Sequence, residues 1–81
     1  MEVRIRFGTG IARFAPAPVM ALQLPAGATV ADVYDHLGGS DPALADALRS
    51  ALVVIGGVHA ERGQELAPGD EVALLAPISG G

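Results

Sequence analysis

The chain has no cysteine and no lysine, and its 81 residues include only two phenylalanines and one tyrosine. Without cysteine there is no disulfide scaffold, no thiolate metal site and no cysteine nucleophile. Positive charge is scarce as well: five arginines against nine carboxylates leave a net charge of −4. That balance argues against nucleic acid, whose phosphates demand clustered cations. The missing lysines leave the α-amine of Met1 as the expected lone primary amine. No stretch approaches the ~20 apolar residues that cross a bilayer. The apolar run Ala51–Ile55, which none exceeds, is strand-sized. The N-terminus alternates apolar and charged residues and lacks the continuous apolar region of a secretory signal. A cytoplasmic domain is expected, with no nucleic acid and no membrane partner.

What is present is apolar. Hydrophobic residues make up 51% of the chain, too many for intrinsic disorder. The length fits one domain, which at this size buries little more than ~60% of its unfolded surface.

Val3, Ile5 and Phe7 alternate with Arg4 and Arg6, the period of a strand with one apolar face. Gly8 to Pro18 reads as a flexible loop, and Val19–Leu24 as a second strand closing a hairpin. Thr29 opens a helix, with Asp32 three residues on as in a capping box. Val30, Val33, Tyr34 and Leu37 form its buried stripe, while Asp32, Asp35 and His36 face water. Gly38-Gly39 is expected to stop it in the left-handed conformation. Asp41-Pro42 starts a shorter helix with Leu44, Ala47, Leu48 and Ala51 on one face. Leu52–Ile55, Val58–Ala60 and Glu71–Leu75 read as strands, separated by turns at Gly56-Gly57 and Ala67-Pro68-Gly69-Asp70. The order β-β-α-(α)-β-β-β predicts an α+β fold: a β-grasp, with a mixed sheet of four or five strands and one main helix across one face. The connection through the helix allows later strands to join parallel to the first.

Enzyme constellations are largely excluded. Gly8-Thr9-Gly10 supplies two glycines of a dinucleotide loop, but Arg13 stands at the third position and a strand follows rather than a helix. His36 sits beside Asp32 and Asp35, where an i, i+4 pair with Asp32 is the ordinary reading. His59 lies near a turn beside Glu61. Neither is expected to bind a metal, and the hydroxyl residues form no nucleophile pattern.

The C-terminal end is different. A strand finishing at Leu75 runs directly into Ala76-Pro77-Ile78-Ser79-Gly80-Gly81. The five residues from Pro77 reach roughly 16–18 Å when extended, at ~3.3–3.6 Å each. Pro77 resists folding back onto the sheet, and two bare glycines can thread a narrow channel. Residues 1–76 are therefore expected to form the domain and 77–81 a flexible tail. The α-carboxylate of Gly81 is the candidate reactive group, ionised at neutral pH and unreactive as an electrophile until a nucleotide activates it.

Gly69 to Gly81 closely resembles the C-terminal signature of the ubiquitin-like sulfur carriers. These include the small subunit of molybdopterin synthase and the thiamine-pathway carrier. The likeness is strongest over 66–81 and looser over the remainder. It departs in having Gly56-Gly57 for Asn-Gly, Ala76 where proline is common, and no Arg-Glu pair in the first loop. The resemblance implies a carrier, not an enzyme on its own, whose terminal glycine is adenylated and then converted to a thiocarboxylate. Gly81 would be the acyl donor and Gly80 its unhindered approach. Pro77, Ile78 and Ser79 would belong to an arm inserted into a partner, and Leu75 to the partner surface. Implied partners are an adenylating enzyme, which spends ATP, and a large synthase subunit or another sulfur-accepting enzyme. No cofactor would be bound to the chain itself. Carriers for thiamine, cysteine or secondary metabolites, a protein modifier and an interaction module with an inert tail remain as alternatives.

Overall fold

Every second residue from Val3 to Phe7 is buried and those between are exposed, so β1 (Glu2–Phe7) turns one apolar row inward. A computed structural model describes residues 1–39 and 41–77. The second strand, β2 (Val19–Gln23), pairs antiparallel to β1 with Arg4 opposite Ala21. Next come the helices α1 (Val30–Gly38) and α2 (Pro42–Leu48). They are followed by β3 (Leu52–Ile55), β4 (Val58–His59) and β5 (Glu71–Leu75). The sheet order is β2-β1-β5-β3-β4. The last strand thus lies in the middle, parallel to β1 and antiparallel to β3. Both helices cover one face, and the predicted β-grasp is the observed fold.

The helix starts follow from local chemistry. The Asp32 carboxylate accepts from the Thr29 N–H at 2.8 Å and from the Thr29 hydroxyl at 3.2 Å. Asp32 is therefore occupied by Thr29, and no ion pair with His36 is present among the described residues. The remaining helix-start donors find carbonyls in the segment after β4: Val30 bonds Gln64 at 3.0 Å and Ala31 bonds Arg62 at 2.9 Å. In α2 the Asp41 carboxylate accepts from Ala43 and Leu44 N–H groups at 3.0 and 3.3 Å.

The core joins Val3, Ile5, Val72 and Leu74 of the sheet to Val30, Val33 and Leu37 of α1 and Leu44 and Leu48 of α2. Tyr34, expected in the buried stripe, is half-buried at its flank. Its hydroxyl donates to the Ala51 carbonyl at 3.4 Å, and the Arg62 guanidinium lies 4.4 Å from the ring centre.

The turns behave as expected. Gly56 and Gly57 take φ of 60° and 79° between the paired Ile55 and Val58, the geometry of a tight two-residue hairpin. Gly69 takes φ 85° and Asp70 bonds back to Ala67 at 3.1 Å, closing a type II turn.

Two expectations are corrected. Gly38 lies inside α1 and Gly39 has φ −68°, so neither is left-handed. Gly38 instead lets α2 approach, for a Cβ there would sit 3.1 Å from that of Ala45. The segment 8–18 is not a slack loop either. It holds a 3₁₀ turn at Ala12–Phe14, and Ile11 is 2% exposed in the core.

Candidate functional site

The alternation of β5 sends Val72 and Leu74 into the core and leaves Ala73 and Leu75 on the outer face of the sheet. Leu75 is thus outward-facing and half-buried, as its position predicted. Pairing brings β3 alongside, with Leu52 opposite Leu75 and Val54 opposite Ala73. Leu52 is 43% exposed. Beyond these apolar residues stand Arg4 and Arg6 of β1, and the Arg6 Nε meets the Glu71 carboxylate at 2.8 Å. The outer face is therefore a small apolar patch beside two of the chain's five cations.

This patch adjoins the start of the tail. The Gly8 N–H donates to the Leu74 carbonyl at 2.8 Å, extending the β1–β5 ladder by one rung. Ala76 packs partly against the core and Pro77 is exposed. A cleft of about 350 Å³ opens here, lined by Gly10, Phe14, Ala47, Ala76 and Pro77 among others. Ile78, Ser79, Gly80 and Gly81 lie outside the described residues, so of the expected tail only Pro77 has a described position.

A second cleft, about 500 Å³, runs between β2 and the helices, with Met20, Leu22, Leu37 and Leu44 on its walls. His36 and Asp41 reach its lining, while His59 lies exposed on β4 far along the chain. Among the described residues no three histidine, aspartate or glutamate side chains gather where a metal could be held. No helix of the described residues is long and apolar enough to cross a membrane.

The sequence pattern did not single out Leu52. Alternation around the buried Val53 turns it outward, but its meeting with Leu75 depends on β5 inserting between β1 and β3.

A five-stranded sheet with its last strand central, wrapped on one face by α1, defines a ubiquitin-like protein of the β-grasp class. A family model described as the ThiS family matches residues 11–81, and the chain belongs to that family. Among solved structures it is similar to SAMP1 from Haloferax volcanii, at 29% identity and a TM-score of 0.86 over 100% of both chains. It is also similar to a putative molybdopterin converting factor subunit 1 from Pyrococcus furiosus. There the identity is 17% and the TM-score 0.86, over 96% of this chain and 99% of that one. A complex of subunits 1 and 2 of the molybdopterin-converting factor from Helicobacter pylori matches at 20% identity and a TM-score of 0.74, over 100% of both chains. At these identities the two converting-factor likenesses speak for the fold.

Proposed function

We propose that this chain is a sulfur carrier whose terminal Gly81 carboxylate is adenylated and converted to a thiocarboxylate, and that it serves as the small subunit of a molybdopterin synthase. The observation that carries the reading is the family match, which runs through the Gly80-Gly81 end. In the first step the carboxylate attacks the α-phosphate of ATP and pyrophosphate leaves. A sulfur nucleophile then adds to the activated carbonyl carbon and expels AMP. The chain has no cysteine, so another molecule must supply that sulfur. The domain contributes recognition: Leu75, with Leu52 beside it, offers the partner an apolar surface at the root of the arm formed by Pro77, Ile78 and Ser79. A step that spends ATP fits work in the cytoplasm.

The test is intact-protein mass spectrometry after incubation with ATP, a family activating enzyme and a sulfur source. Exchange of one terminal oxygen for sulfur is expected, and loss of that exchange on deleting Gly81 or on adding one residue after it. Failure of the wild-type chain under conditions that convert an established carrier overturns the reading. A second reading, ligation to lysines of other proteins, is favoured by the full-length 29% identity to SAMP1, which is called a small archaeal modifier protein. Lysine-linked adducts of other proteins carrying the chain's 63–81 segment after cleavage at Arg62 would distinguish it.

A further inference from the structure

The loop after β1 holds two glycines whose missing side chains face the root of the tail. Gly8 has no left-handed backbone to explain it. A Cβ on Gly8 would lie 2.6 Å from the Leu75 Cδ2 and 3.3 Å from the Leu74 carbonyl oxygen. Gly10 has φ 94°, and its Cβ would lie 3.0 Å from the Cβ of Ala76. By contrast, a Cβ on Gly56, Gly57 or Gly69 would meet nothing within 4 Å. Those three glycines serve the backbone alone; Gly8 and Gly10 make room for a neighbour.

The loop is also firmly held. The Gly8 carbonyl accepts from Ile11 and Ala12 N–H groups at 3.1 and 2.9 Å. Ile11 is sunk in the core, and Phe14 bonds back to it at 2.9 Å. On its other side Gly8 donates to Leu74. The strand pairing of β5 ends at Leu75, and the next residue, Ala76, leaves the ladder packed against the core, beside the space that the missing Gly10 side chain leaves open.

We infer that Gly8-Thr9-Gly10 is a positioning cradle that sets the direction in which the chain leaves the sheet at Ala76–Pro77. For its consequence the inference rests on the carrier reading. A terminal carboxylate must meet the α-phosphate in line while the sheet is docked elsewhere on the enzyme. Misdirection at the root is then carried outward along the arm, and small misplacements of reacting groups cost rate. The outer face still docks, so the loss falls on kcat and spares KM.

The experiment measures ATP–pyrophosphate exchange by an activating enzyme that adenylates the wild-type chain. The substrates are Gly8→Ala, Gly10→Ala and the double variant Gly10→Ala with Ala76→Gly. Gly10→Ala is expected to lower kcat at least about fivefold at unchanged KM, and Gly8→Ala to lower kcat by as much, its KM being read separately because its contact moves Leu75 of the docking face. Removing the Ala76 methyl should restore kcat to Gly10→Ala while its melting temperature stays low, since the backbone strain at residue 10 remains. A merely structural role predicts the reverse, with a smaller folded fraction raising KM and no rescue. Gly8→Ala keeps the test open should Gly10→Ala fail to fold: the end of the Leu75 side chain can turn away from the new methyl, while the 3.3 Å approach to the Leu74 carbonyl oxygen still presses on the backbone at the root of the tail. Wild-type kcat in the single variants, or failure of the rescue, overturns the cradle.

A readout without any enzyme separates this inference from the carrier reading. A nitroxide on Ser79→Cys, the sole thiol, broadens amide signals of the domain by proximity. The broadening pattern over α2 and the 3₁₀ turn should change in Gly8→Ala. An unchanged pattern overturns the cradle. A changed pattern with no adenylation of the wild type upholds the cradle and overturns the carrier reading.

Discussion

Tyr34 is the one tyrosine of a chain without lysine or cysteine, so its phenol titrates in alkaline solution with no side-chain amine or thiol beside it. Burial pushes that phenol above its ordinary 10.0, and the Arg62 guanidinium over the ring pulls part of the way back. The neutral form is thus favoured in the folded state. Between pH 10.0 and the folded value the unfolded chain loses its proton while the folded chain keeps it. The folded state then binds more protons, and its stability falls as pH rises. This contribution is complete below pH 10.0 and is lost above it. Tyrosinate absorbance should give a higher midpoint in buffer than in concentrated urea, and Arg62→Gln should move the folded midpoint higher still. Coincident midpoints in the two solvents would show that burial at this position exerts no such pull.

At the scale of elements, α2 has seven residues, too few to persist as an isolated helix. Its order comes from Leu44 and Leu48 in the core and from Asp41 closing its first turn. Asp41→Ala should cost about 1 kcal/mol, within the usual 0.5–2 kcal/mol for a lost cap. Asp41→Asn should cost a few tenths at most. Urea titration checks both: the midpoint should drop for alanine with an unchanged slope. Chemistry of this kind is legible in sequence because donor and acceptor lie two or three residues apart. The Asp41-Pro42 start, the Gly56-Gly57 hairpin and the Pro68-Gly69 turn could be read for that reason. Gly38-Gly39 does stop α1 as read, but its conformation there could not be read. A glycine that closes a helix and a glycine that admits a second helix look the same locally, and Ala45, which decides between them at Gly38, belongs to another element. The loop after β1 was obscured in the same way: its order comes from Ile11 reaching the core and from Leu74 across the sheet.

At the scale of the molecule, the alternation of β1 and β5 fixed which side chains face the helices, and the Gly-Gly signature pointed to the end that the proposed function uses. The strand order completed the surface. Only with β5 between β1 and β3 does Leu52 stand beside Leu75, next to Arg4 and Arg6 on the same face. If this face docks on the activating enzyme, a charge placed at Leu52 is hydrated in the free protein and stripped of water in the complex. Leu52→Glu should therefore fold with a stability within about 1 kcal/mol of the wild type. It should raise KM for adenylation at least tenfold, the equivalent of about 1.4 kcal/mol, because an unpaired buried carboxylate costs more than that. Its kcat should hold, the opposite split from a misdirected tail. Val58→Glu is the matched control: Val58 is more exposed, at 68%, and pairs with Ile55 away from the outer patch. Equal KM values for the two variants would remove the outer face from the docking surface. A raised KM for Leu52→Glu alone assigns recognition to the sheet and leaves the chemistry to the tail.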